Sequence, residues 1–256
     1  MKILFYPQLP KSYSKITDIC RRLDIRICDL PCNHDLEGFD FGIHWDYNTY
    51  CKPDQLLLDI SKELPIINLS VDDVSKSKVD AVFTSIFKYS SRVDIFQYFG
   101  YAIRKSENQA AHDGEIISLP YRQQPGYFYQ KLLDSRTNFT TTQDLRLVFF
   151  KDEIPFGFLK YRPVASPIKD LSAVTYVSNP MDFISAQEYN QVVNFCHSFG
   201  LEFGEIDLVR NNSDGLLYIL DVNNMAGNAL FKHFGFGKAE QIRDQYAQLF
   251  KQKFQP

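Results

Sequence analysis

The chain has 256 residues, 45% of them hydrophobic and 23% charged, enough to build a buried core and to exclude wholesale disorder. Twenty-eight Lys and Arg stand against 31 Asp and Glu, so no basic surplus marks a nucleic-acid or anionic-membrane binder. Apolar runs fall short of the roughly 20 residues that span a bilayer, and residues 1–7 lack a signal-peptide core. Five cysteines fit a reducing cytoplasm better than a disulfide framework. Cys28, Cys32 and His34 have no second Cys/His pair at zinc spacing and read as ordinary residues.

The first 70 residues alternate strand and helix. Residues 3–6 read as a buried strand ended by Pro7, and Tyr13, Ile16, Ile19, Cys20 and Leu23 recur at helical spacing. Residues 25–30 and 39–44 read as strands, Pro53 opens a helix, and residues 65–69 close the unit with a short strand. This alternation predicts a parallel sheet. A helix over 74–87 leads to strands at 101–105 and 115–119, then to three more at 127–133, 144–150 and 154–161. Residues 139–142 and 163–183 read as loops. Ser185 and Glu188 have capping-box spacing for a helix that stops at Gly200. A hairpin follows, residues 201–209 and 216–222 turned by 211–215, and an amphipathic helix covers 238–254.

That hairpin carries the chemistry. Side chains alternate along a strand, so Asp221 and Asn223 share a face, and a turn centred near residue 213 sets Asp207 almost opposite Asp221. Two readings fit the spacing. One is a site for a hard cation such as Mg2+, relieving the repulsion of two carboxylates and sharing its shell with phosphates. The other is a strand end whose Asp-x-Asn caps the next turn. Lys105, two residues after apolar Ile103, is either a strand-end lysine in solvent or a buried ammonium that needs an anion. Arg146 faces away from Leu145 and Leu147, and Arg162 ends its strand at Pro163. Each is either a guanidinium fork for a phosphoryl group or oxyanion, or an ion-pair partner of Asp144 or Glu153. No Walker loop, Gly-x-Ser-x-Gly elbow or His-Glu-x-x-His motif competes.

Asp207, followed by Asp221-Val222-Asn223 and Met225-Ala226-Gly227, resembles the metal-binding signature of the ATP-grasp superfamily. Residues 143–149 with 158–162 are similar to the Asp-x-Arg strand pair of ligases related to the ribosomal-protein glutamate ligases. Residues 102–105 resemble the strand whose lysine meets the α and β phosphates, and residues 129–133 the hinge strand at adenine. The likeness spans roughly residues 66–235, and the leading unit resembles the small domain that commonly precedes the grasp.

The resemblance implies an α/β chain: a Rossmann-like parallel domain over 1–70, then an ATP-grasp domain over 71–256 with subdomains at about 71–125 and 126–256. It implies ATP and Mg2+ as cofactors, with Asp207, Asp221 and Asn223 on the metal, Lys105 on the nucleotide phosphates, and Gln130, Lys131 and Leu132 at the nucleotide base. Arg146 and Arg162 become the catalytic residues that stabilise developing negative charge. The implied reaction activates a small-molecule or peptide carboxylate as an acyl phosphate and joins it to an amine, in an enzyme of a kind that often forms homodimers. Alternatives on the same fold are a kinase acting on a hydroxyl and a nucleotide-binding protein without turnover. Two departures stand out. Loop 106–114 has one glycine, Gly114, where the family loop is glycine-rich, leaving Asn108 and His112 as further phosphate contacts. Glu205 stands where several amino-acid ligases of the family carry arginine, which counts against a D-alanine-ligase-like substrate geometry.

Overall fold

Strand β1 (Lys2–Pro7) carries the buried run Ile3-Leu4-Phe5, apolar to both sides, as a strand covered on both faces must be. In the computed structural model, which describes residues 1–255 apart from Asn33, Ala110, His112, Ile168 and Lys169, β1 lies inside a parallel sheet. The order is β2-β1-β3-β4, with β2 at Arg26–Cys28, β3 at Phe41–Trp45 and β4 at Ile66–Ile67. Helix α1 (Lys15–Arg22) buries Ile16, Ile19 and Cys20. Helix α2 (Gln55–Ile60) starts where the Asp54 carboxylate accepts the Leu57 N–H at 2.8 Å.

After helix α3 (Lys76–Phe87), strands β5 (Gly100–Ser106), β6 (Glu115–Leu119) and β7 (Tyr127–Lys131) form a small antiparallel sheet in the order β6-β5-β7. Strand β7 thus pairs back onto β5 and not forward, so the two sheets part after Lys131. The large antiparallel sheet has the order β10-β9-β8-β11-β12. Its strands are β8 (Thr141–Phe150), β9 (Glu153–Pro163), β10 (Ala173–Val177), β11 (Phe203–Arg210) and β12 (Leu217–Asn223). Strand β10 falls in a segment read as loop from sequence, and β8 starts within another. The β-branched and aromatic run Val174-Thr175-Tyr176-Val177 is the signal that marks β10. Helix α4 (Ala186–Phe199) has the Ser185/Glu188 capping box and ends at Gly200 with φ 78°.

Period-two alternation splits the large sheet into two faces. Leu145, Leu147, Phe149, Ile206 and Leu208 pack under α3 and α4, against Phe83, Phe87, Phe195 and Phe199. Val148, Phe150, Phe156, Phe158 and Phe203 face the other way, onto helix α5 (Phe236–Phe254) and onto Ile3, Phe5, Ile16 and Trp45 of the N-terminal unit. Asn68, held at φ 60°, locks this junction: its Oδ1 accepts the N–H of Glu202 and Phe203 at 2.8 and 3.0 Å. Among the described residues no helix is long and apolar enough to cross a membrane.

Only one end of the second face is apolar. Further along the same strands the in-phase positions become Asp144 and Arg146 on β8, Lys160 and Arg162 on β9, Glu205 and Asp207 on β11, and Asp221 and Asn223 on β12. The hydrophobic half anchors the sheet; the charged half gathers carboxylates and cations.

Strand spacing at this transition is tight. A Cβ on Gly157 would lie 2.6 Å from the carbonyl oxygen of Arg146. Gly157→Ala is expected to destabilise the fold by about 1–3 kcal/mol, seen as a lower urea midpoint at unchanged slope.

Candidate active site

Register brings the expected carboxylates together. Asp207 directly opposes Asp221 across β11 and β12, and Asn223 lies on the same face opposite Glu205. Asn223 Nδ2 donates to Asp207 Oδ2 at 3.4 Å. Repulsion between the two aspartates is relieved first by the protein itself. Arg146 Nε and Nη2 fork the two oxygens of Asp207 at 2.7 and 2.6 Å, and Lys160 Nζ adds a bond of 2.6 Å to Oδ1. Protein cations therefore supply part of the charge balance that one of the two readings of this hairpin gives to a divalent ion.

The pairing extends in both directions. Lys160 also meets Asp144 at 3.1 Å, and Asp144 takes Arg162. On the other side Arg146 Nη1 lies 3.2 Å from Glu205 Oε2, while Glu205 Oε1 accepts from Lys15 Nζ and, at 2.6 Å, from the Tyr246 hydroxyl. The result is an alternating chain: Lys15, Glu205, Arg146, Asp207, Lys160, Asp144, Arg162. It runs from α1 through three strands of the large sheet. Of the two readings open for Arg162, the ion pair with Asp144 is present, yet its Nε is buried without a partner among the described residues. The partner of Arg146 is Asp207, with Glu205 beside it, and neither Asp144 nor Glu153.

Charge states follow from this packing. Burial pushes the Asp207 carboxyl up, but Arg146 and Lys160 outweigh it and hold it well below the usual aspartate range. Burial likewise opposes Glu205, and Lys15 with Arg146 brings it below the ordinary glutamate value. Asp221 behaves differently. Burial raises its carboxyl; Lys76, 3.8 Å away, offsets this only in part, and Asp207 opposite adds repulsion. On the small sheet, Lys105 makes no side-chain hydrogen bond or ion pair with a described residue. Burial lowers its ammonium, Asp221 supports it from across the site, and Lys76 repels it.

Gln130, 2% exposed, opposes Ile103 in register and so shares the Lys105 face of the small sheet. Lys131 Nζ lies 5.8 Å above the Tyr218 ring, and Leu132 is 39% exposed. In the loop after β5, the Glu107 carboxylate accepts the Ser77 N–H at 3.0 Å, at the start of α3. The Asn108 carbonyl accepts Lys76 Nζ at 3.1 Å, and Gln109 Nε2 donates to the carbonyls of Tyr47 and Asn48. The loop is thus docked on α3 and on the N-terminal unit; His112 lies outside the described residues.

Sequence reasoning missed Asp144 and Lys160 as members of the site, although a signal was present. Lys160 and Arg162 continue the two-residue period of Phe156 and Phe158, and Asp144 precedes Arg146 by the same step. Charge entering an apolar strand face in phase marks the end of the buried half. Lys15, Lys76 and Tyr246 had no such signal, because their partners are distant in sequence.

Glu205 and Asp207 are both held low, so the unfolded chain takes up protons first as pH falls. Their stabilisation is fully present above about pH 4 to 5, the ordinary carboxylate range, and is lost as pH drops through the lower folded values. Glu205→Gln should flatten the acid limb of the stability curve, measured by chemical unfolding at successive pH values.

No protein-family signature and no curated protein matches this sequence. Solved structures do. The ATP-grasp ligase PsnB complexed with minimal precursor, Mg and ADP superposes with a TM-score of 0.62 at 12% identity, over 98% of each chain. D-alanine–D-alanine ligase from Bacillus anthracis complexed with ATP gives 0.59 at 10% identity, over 98% of this chain and 94% of that one. The macrocyclase MdnC bound with precursor peptide MdnA, from Microcystis aeruginosa MRC, gives 0.54 at 12% identity, over 96% and 99%. The likeness covers the parallel N-terminal sheet as well as both antiparallel sheets, and with it the chain is seen to have the ATP-grasp fold.

Proposed function

We propose that this chain is an ATP- and Mg2+-dependent ligase that activates a carboxylate as an acyl phosphate and joins it to an amine. The observation that carries the reading is Lys105, a cation with no hydrogen-bond or ion-pair partner among the described residues, whose ammonium the Asp221 carboxylate favours from across the site. An unpaired, desolvated ammonium is costly unless an anion meets it, and a nucleotide phosphate is such an anion. The buried Nε of Arg162 points the same way, as a donor with no acceptor among the described residues.

The donor set suits magnesium. Asp221 has Lys76 as its ion-pair partner at 3.8 Å and is incompletely neutralised, and Asn223 adds a hard amide oxygen. Among the described residues no group of three or more His, Cys, Asp or Glu is placed to hold a metal. Two protein donors are what Mg2+ accepts when waters and substrate phosphates complete its shell. Asp221 and Asn223 would hold it, with Asp207 contributing charge from the opposite strand. When bound, the metal would neutralise phosphate charge beside Asp221 and Asn223.

Within this frame Lys105 binds the nucleotide phosphates from the small sheet. Arg146, fixed by Asp207 and Glu205, and Arg162, fixed by Asp144, present guanidinium groups to the transferring phosphoryl group. The substrate carboxylate attacks the γ-phosphorus and ADP leaves; the amine then attacks the acyl carbon, losing its proton, and phosphate leaves. Positioning and charge stabilisation do the work, as phosphoryl transfer requires. The precursor peptides in the PsnB and MdnC complexes support a peptide carboxylate as the substrate class here.

Calorimetric titration with ATP tests the site. Lys105→Ala should weaken Mg·ATP at least tenfold, about 1.4 kcal/mol. Removing Mg2+ with a chelator should weaken ATP binding, and the Asp221→Ala/Asn223→Ala double change should abolish that metal dependence. Unchanged affinity in these variants overturns the assignment. ADP release that yields a stable phosphate ester with no need of an amine identifies a kinase instead.

A further inference from the structure

Lys15 is 2% exposed and Glu205 1%, which makes them the most deeply buried ion pair in the site. Lys15 belongs to the N-terminal unit, Glu205 to the large sheet. Three rings enclose the ammonium: Tyr246, Phe231 and Phe158, at 5.2, 5.4 and 5.6 Å from ring centre to Nζ. These rings exclude water and leave Glu205 as the charged partner. Glu205 shares its carboxylate three ways, with one oxygen on Lys15 and Tyr246 and the other 3.2 Å from Arg146 Nη1. The backbone of Lys15 reaches the site too, donating to the Ala226 carbonyl at 2.9 Å, three residues after Asn223.

We infer that Lys15 and Tyr246 are positioning residues that set the orientation of Arg146 through Glu205, so that the N-terminal unit tunes recognition of the γ-phosphoryl group. The inference rests on the nucleotide site proposed above. Its physical basis is competition for Arg146. With Lys15 and Tyr246 in place, one oxygen of Glu205 is saturated and Arg146 keeps its two-pronged grip on Asp207. Without Lys15, a buried carboxylate is left with one cation, and that cation is drawn toward it because an uncompensated buried charge is costly. Arg146 then turns from Asp207 toward Glu205, and its guanidinium leaves the plane it presents to the phosphoryl group. Removing both charges takes away the pull.

The test compares affinities for Mg·AMPPNP and Mg·ADP, whose ratio reads γ-phosphoryl recognition, at a temperature where every variant is folded by circular dichroism. Lys15→Met should reduce the ratio about tenfold, the scale of one charge-assisted contact, with Mg·ADP affinity kept within about threefold. The double variant Lys15→Met/Glu205→Gln should recover to within about threefold of the parent ratio, although it removes more of the network. Tyr246→Phe, which keeps the ring and loses the hydroxyl, should lower the ratio in the same direction and covers the case in which Lys15→Met fails to fold. A folded Lys15→Met with an unchanged ratio overturns the inference, as does a double variant no better than the single one. If the parent protein binds neither nucleotide, the nucleotide site itself is refuted, an outcome distinct from a parent that binds both and variants that behave alike.

Discussion

Asp207 accepts three hydrogen bonds from two cations, one on β8 and one on β9, while sitting on β11 opposite a second aspartate. Taking ions out of water costs several kcal/mol each, and only complete pairing offsets it. That constraint explains why the charged half of the sheet face is a chain of alternating sign and not a cluster of like charges. Each inner member is held by neighbours on both sides, so none of these side chains can turn without leaving a buried charge uncompensated. Such an arrangement adds little net stability. What it does supply is fixed geometry, which is the requirement for stabilising charge that develops during a reaction.

The two halves of the face depend on each other. Phe150, Phe156, Phe158 and Phe203 bury against α5 and the N-terminal unit and hold the strands in register. That register in turn places Asp207 against Arg146 on one side and Asp221 on the other. A slip of one residue would carry the carboxylates to the α3 and α4 face, among Leu147, Phe149 and Phe195. The aromatic content of the sequence thus serves the polar site by making the wrong register untenable.

Much of this was legible before any coordinates. Counting from the 211–215 turn put Asp207 opposite Asp221, and the alternation around Arg146 turned it away from Leu145 and Leu147, because hairpin register and strand pleat are local properties. The capping box at Ser185 and the parallel N-terminal unit were readable for the same reason. The return of β7 to β5 was not, since a strand's own pattern does not name its partner. Nor was the pairing of Lys15 with Glu205. An ammonium at the start of an amphipathic helix looks solvated until three rings from other elements close around it.

Contact between stretches some two hundred residues apart bears on how the protein is made. Phe41, in one core with Ile3, Phe5 and Trp45, finds its cover in the helix at residues 236–254, where its ring centre lies 6.1 Å from that of Phe250. A ribosome releases residues in order at about 5–20 per second, so that surface stays bare for roughly ten to forty seconds of translation. During that interval a chaperone or a neighbouring nascent chain competes for the same greasy patch. The stretch made earlier is covered later.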